Sequence, residues 1–143
     1  MTAPKLHLFH RLEDLPDHWA GARIIEVNGP VTCTTGFPMK RTSDGRTFIT
    51  TADHCDDNVG HRLNEQWWDV IGTHDINHRM GEAWYHHGSL DAAYIRPPNG
   101  WVAGWTYTGG VAESHDSDKL VSGVQGNYVG AVACTSGSWT GEH

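Results

Sequence analysis

An all-β fold is predicted by three observations. Short β-branched or aromatic segments recur between turn signals, as in Thr47-Phe48-Ile49-Thr50-Thr51 and Ala92-Ala93-Tyr94-Ile95-Arg96. Strands of this length bounded by Gly, Pro, Asn or Asp are the building unit of antiparallel barrels and sandwiches. Glycine accounts for 17 of 143 residues and seven tryptophans are scattered along the chain, a composition suited to tight turns rather than long helices. Finally, Ser43-Asp44-Gly45 separates two β-prone segments. Asp-Gly is among the strongest short hairpin signals, because both residues tolerate positive φ.

Taken in order, residues 1–20 read as a polar lead-in or the remnant of a pro-region, with one amphipathic turn around Leu12 to Leu15 that Pro16 ends. A first strand is expected over Ala22–Val27, closed by Asn28-Gly29-Pro30. The hairpin around Asp44-Gly45 starts at Cys33, and its second strand runs into Ala52-Asp53-His54-Cys55. Asp56 to Gly60 is a turn, Trp67–Ile71 a strand, Thr73 to Arg79 a polar loop and Met80–His86 another strand. Ser89-Leu90-Asp91 then leads into a short apolar strand stopped by Pro97-Pro98. The expected organisation is one β-barrel over 21–108, a connection over 109–119 carrying Gly109-Gly110, and a restart of strand pattern over 120–143.

The formal net charge is −7 with histidines neutral, and no basic block exists. That balance argues against a nucleic-acid partner held through phosphates. No apolar run reaches the length of a membrane span, so no membrane role is expected. The N-terminus is interrupted by charge and histidine and lacks the continuous apolar stretch of a signal peptide.

The stretch from Cys33 to Cys55 delivers a histidine at the end of a buried strand with a cysteine beside it. A bridge between these cysteines would pin the His54 turn to the first strand of the hairpin. Closing a loop of that length contributes about 3 kcal/mol in the chain-entropy model. The same cysteines with His54 offer metal-ligand chemistry instead. His74 and His78, four apart, and the adjacent His86 and His87 offer it as well. Spacing of four serves a metal only on a helix, whereas 73–78 lies among loop signals, so surface histidine is the ordinary alternative. Trp67, Trp68, Trp84, Trp101 and Trp105 suit core packing in a small β-domain, with a sugar or peptide groove as the sharper alternative.

C-T-T-G-F followed by T-A-D-H-C resembles the chymotrypsin-fold serine peptidases, most closely the bacterial secreted branch that includes streptogrisins and alpha-lytic protease. G-A-R-I at 21–24 is similar to the start of the mature domain in that branch, and S-L-D-A-A-Y-I-R resembles its Asp-x-Ala-x-x-Arg segment. The resemblance implies a Cys33–Cys55 disulfide, His54 as general base and Asp91 as the carboxylate that orients it. A serine hydroxyl is a weak nucleophile at neutral pH. An imidazole must take its proton, and a carboxylate must hold the tautomer and stabilise the imidazolium. Asp53 stands where the family carries Ala or Gly, placing a carboxylate beside the base.

The resemblance further implies a Greek-key barrel that is complete in six strands, roughly 20–108, followed by a second barrel truncated after its first strands. Cys134-Thr135-Ser136-Gly137-Ser138-Trp139-Thr140-Gly141 is similar to the opening of that second barrel, which would leave Cys134 unpaired with its partner just past His143. The family nucleophile lies in a G-D-S-G-G turn that does not occur here, and Ser136 and Ser138 read as turn residues. The expectation is therefore a secreted serine endopeptidase acting on protein or peptide substrate, using no cofactor and no metal. The chain alone is expected to be inactive. Two other classes stand beside it: a non-catalytic binding module on a protease-like barrel, and a histidine-rich metal-binding domain.

Overall fold

The computed structural model describes residues 11–26, 32–56, 66–70, 78–100, 102–111, 118–126 and 128–142. Among them the fold is all-β, with strands joined by short 3-10 turns and no α-helix. The strands are β1 (His18–Ala20), β2 (Arg23–Glu26), β3 (Thr32–Thr34), β4 (Pro38–Lys40), β5 (Thr47–Thr51), β6 (Gln66–Asp69), β7 (Arg79–His87), β8 (Ala92–Arg96), β9 (Val102–Thr106), β10 (Lys119–Leu120), β11 (Ser136–Gly137) and β12 (Gly141–Glu142).

Seven of them form one antiparallel sheet in the order β3-β2-β6-β7-β8-β5-β4. β3 and β4 are its opposite edges, yet only Thr35–Phe37 separate them in the chain. A three-residue link reaches about 10 Å, so the edges must curve toward each other and the sheet curls into a half-barrel. Burial alternates along β2 and β8, as the two-residue period of a strand predicts. Ile24, Trp67, Met80, Ala83, Ile95 and Ile49 contribute the core, one or two per strand, with Cys33, Cys55 and Val102 packed against them.

The link is held tightly. The Thr35 hydroxyl accepts from the Ala22 N–H (2.8 Å) and donates to the Trp19 carbonyl (2.8 Å), while the Gly36 N–H donates to the Thr50 carbonyl (2.6 Å). Position 36 must be glycine, because a Cβ there would stand 2.2 Å from Thr50 Oγ1. The second glycine with a conformational task is Gly45 (φ 71°), in the loop between β4 and β5. Asp44 keeps negative φ, contrary to the expected Asp-Gly turn. Its carboxylate instead pairs with Arg41 and Arg46 across a four-residue loop closed by Arg41 N–H to Arg46 O (2.8 Å).

Several expectations are corrected. The amphipathic turn expected around Leu12 to Leu15 is not helical, and within this polar segment Arg11, Asp14 and His18 are each at most 2% exposed. The Arg11 guanidinium donates to the carbonyls of Gly21 (3.2 Å), Tyr107 (3.0 Å) and Gly109 (3.2 Å). Asp14 accepts from the Tyr107 hydroxyl (2.7 Å), the Trp19 N–H (3.2 Å) and His18 Nδ1 (3.1 Å). Burial works against the charged form of His18, yet the hydrogen bond and charge of Asp14 outweigh it and its pKa is raised. β9 leaves the main sheet and pairs with β1 in parallel and β10 antiparallel, over a second apolar cluster of Trp19, Ala22 and Tyr107. The strand at 102–106 thus lies outside the seven-stranded sheet. The expected turns at 28–30 and 57–60 and most of the 73–79 loop lie outside the described residues.

The C-terminal hairpin is docked on the body of the fold. β11 and β12 pair as a hairpin whose Ser138 is fully buried against β3. Its N–H donates to Thr34 Oγ1 (3.1 Å), and Arg23 donates to its carbonyl while stacking on Trp139. Residues 121–126 and 128–135 are exposed and without strand.

The link yields a direct test. Gly36→Ala is expected to lower the free energy of unfolding by about 1–3 kcal/mol, the usual cost of forcing an extra carbon into packed structure. Chemical denaturation of Gly36→Ala, Thr50→Ala and the double variant checks it. Because the clash is with the Thr50 hydroxyl, the double variant should recover part of the loss.

Candidate active site

β5 carries the chain out of the core and ends in the 3-10 turn Asp53–Asp56, which holds His54. Cys55 in that turn is buried and bonded to Cys33 on β3, with Cα atoms 6.1 Å apart. The bridge therefore ties the turn to the edge of the sheet opposite β4, and it takes these two cysteines out of the metal-ligand alternative. Cys134 is free and exposed.

Asp91 reaches the same turn from the hairpin of β7 and β8. His87 pairs with Ala92, and the four residues between them include the 3-10 turn Gly88–Leu90 followed by Asp91. Asp91 is left-handed (φ 48°, ψ 49°), the conformation that glycine takes at the end of the Arg41–Arg46 loop. Aspartate is among the few non-glycine residues that adopt it, and residues held in such sparsely populated regions cluster at functional sites.

The carboxylate grips His54 at two points. Oδ1 accepts from the His54 backbone N–H (2.9 Å) and Oδ2 from His54 Nδ1–H (2.8 Å). An ionised carboxylate only accepts, so the proton lies on Nδ1 and the Nε2 lone pair is available as a base. The pKa of Asp91 is depressed, first by the His54 backbone N–H and then by the imidazole bond. Among the described residues nothing bonds to His54 Nε2, and the side chains of His54 and Asp91 are 66% and 55% exposed.

Exposure separates this pair from three others. His18–Asp14, His78–Asp69 (2.6 Å) and His86–Asp53 (2.8 Å) have the same Nδ1-to-carboxylate bond, but their side chains are at most 14% exposed. None was legible beforehand: 69 and 78 meet across β6 and β7, and 53 meets 86 only through the curl of the sheet. The carboxylate of Asp53, expected as a neighbour of the His54 ring, is directed at His86 instead. Among the described residues no group of three or more His, Cys, Asp or Glu could hold a metal ion, and His74 lies outside them. His87 Nδ1 lies 3.2 Å from Ser89 Oγ.

Neither serine of the C-terminal hairpin joins the pair. Ser136 Oγ donates to the Tyr107 carbonyl (2.6 Å), and the buried Ser138 Oγ lies 2.7 Å from Thr34 Oγ1. Both hydroxyls serve the docking of β11 to the body of the fold. Trp67 and Trp68 are buried, Trp67 within the main core, and Trp105 stacks on Trp19 at 5.5 Å, as packing residues do.

Two outcomes test the geometry. A depressed carboxylate stabilises the fold above its ordinary pKa, and that contribution is lost as pH falls through the folded value. Carboxyl carbon NMR should therefore place the Asp91 midpoint below 3.8. His54→Ala should restore only part of the difference, because the first-ranked donor is backbone; full return to 3.8 would contradict the two-point grip. Thermal unfolding should rank Asp91→Gly above Asp91→Ala, since alanine loses the same hydrogen bonds and keeps the left-handed strain.

A scan against family models, a search of curated proteins and a search of solved structures each return no match. The reading of the site rests on its geometry.

Proposed function

We propose that this chain carries the base and orienting carboxylate of a serine endopeptidase, with His54 as general base and Asp91 holding its tautomer. One observation carries the reading: Asp91 bonds both the backbone N–H and Nδ1 of His54 and leaves Nε2 open to solvent. In acyl transfer Nε2 takes the proton of the attacking hydroxyl and returns it to the leaving amine, while the carboxylate stabilises the imidazolium. The all-β half-barrel and the Cys33–Cys55 disulfide beside the base support a chymotrypsin-like Greek-key barrel acting in an oxidising, extracellular setting. Nucleophile, oxyanion hole and specificity pocket are assigned to polypeptide other than the segments described. An oxyanion-hole donor alone contributes about 3 kcal/mol of transition-state stabilisation, so the chain by itself is expected to be inert toward peptide bonds.

A second reading, a non-catalytic binding module, is favoured by a groove of about 290 Å³ lined by Met39, Phe48, Trp84, Tyr85 and Tyr94. Phe48, Tyr94 and Tyr85 form a row across β5, β8 and β7 with ring centroids 6.3 and 5.8 Å apart.

A fluorophosphonate probe tests the first reading on the chain as it stands. No labelling is expected, and stoichiometric capture on Ser136 or Ser138 would overturn the assignment of the nucleophile. In polypeptide that also supplies the serine, His54→Ala and Asp91→Asn should each lower kcat about ten-thousand-fold against a peptide substrate. Activity that survives both substitutions would overturn the roles assigned to His54 and Asp91.

A further inference from the structure

We propose that Asp53 and His86 form a positioning pair for His54, their buried hydrogen bond fixing the turn that carries the imidazole. The proposal rests on the reading of His54 as the base and names the part of the chain that aims it.

The turn Asp53–Asp56 is a single 3-10 turn, too short to hold its own conformation. It is anchored from outside. Cys55 fastens it to β3 through the disulfide. The β7–β8 hairpin fastens it by two consecutive residues. Asp91, immediately before β8, takes His54, and His86 near the end of β7 takes Asp53, with Nδ1 and Oδ1 2.8 Å apart. His86 pairs with Ala93 in the ladder and Asp91 closes the turn above it, so one hairpin carries both anchors. The two grips differ in burial. Asp53 is 5% exposed, so its bond to His86 is shielded, whereas the His54–Asp91 pair faces solvent.

Asp53 is also the chain neighbour of His54. Its carboxylate takes His86, so a displacement of Asp53 moves the backbone that carries the imidazole and the His54 N–H that Asp91 accepts. The buried pair supplies rigidity that the exposed pair lacks, and a base held loosely loses much of its catalytic effect.

The test reads the Nδ1–H proton of His54 by NMR in the folded, disulfide-bonded chain, through its exchange rate with water. Asp53→Ala and His86→Ala remove the same bond from opposite ends. Each should speed exchange about tenfold or more, in line with the loss of a buried charge-assisted hydrogen bond. Amides of β6, remote from the turn, should keep their rates. Asp53→Asn, whose side-chain carbonyl still accepts from His86, should stay within about twofold of the parent. That rescue separates positioning from charge. Unchanged exchange in a folded Asp53→Ala or His86→Ala chain overturns the proposal, as does acceleration in Asp53→Asn equal to that in Asp53→Ala. One folded variant suffices. Loss of folding in both would mean a role in stability larger than positioning and would overturn it too. Failure of the underlying reading looks different: a parent chain in which the His54 Nδ1–H exchanges no more slowly than in Asp91→Gly has no oriented base to position.

Discussion

The segment Thr35–Phe37 imposes the constraint on which the rest of the structure depends. It joins the two edges of one seven-stranded sheet within three residues, so the sheet has no flat alternative. Curling places Ile24, Ile49, Trp67, Met80 and Ile95 around a common interior. It also brings the end of β5 back beside β3, where Cys55 meets Cys33. The disulfide restricts the unfolded chain, and the same bond settles where the His54 turn lies. Core, covalent link and site are thus consequences of one short connection, whose sequence, Thr-Gly-Phe, supplies a hydroxyl for Ala22 and a position with no side chain against Thr50.

The His54–Asp91 pair departs from local backbone preference at one position. Between Arg41 and Arg46 the residue with positive φ is Gly45, whereas before β8 it is Asp91. Conformational preference alone would choose glycine at both. Keeping an aspartate at the second costs backbone strain and gains a carboxylate that bonds two donors of His54. Such local conflicts are expected where function overrides folding preference. Among the described residues, four histidine–aspartate bonds of similar length divide by exposure. The three shielded pairs cross-link strands and turns, and the open one leaves His54 Nε2 facing solvent.

Polar burial also explains the ends of the chain. Arg11, Asp14, His18 and Tyr107 lie almost wholly out of water, a costly arrangement unless each group is paired. Each is paired, and burial followed by the Asp14 carboxylate pushes the Tyr107 phenol far above its ordinary value. Arg11 reaches carbonyls nearly one hundred positions away, so the N-terminal segment and β9 form one unit beside the main sheet. The β11–β12 hairpin closes against the same region through Ser136 and the Tyr107 carbonyl.

The sequence by itself determined what depends on near neighbours and on side-chain period. Strands at β2, β5, β6, β7 and β8 were legible because alternation and turn residues act over a few positions. The candidate pair was legible because T-A-D-H-C and S-L-D-A-A-Y-I-R are compact motifs. Only the tertiary structure decided which carboxylate each histidine meets, that Asp53 serves His86, and that Ser138 is buried. It alone placed residues 11–20 inside the fold. The Asp53–His86, Asp14–Tyr107 and Thr34–Ser138 contacts join residues 33, 93 and 104 positions apart. Composition makes Arg11, Asp14 and His18 look solvent-exposed, because the hydrogen-bonding groups that make their burial tolerable lie on strands that local sequence does not reveal.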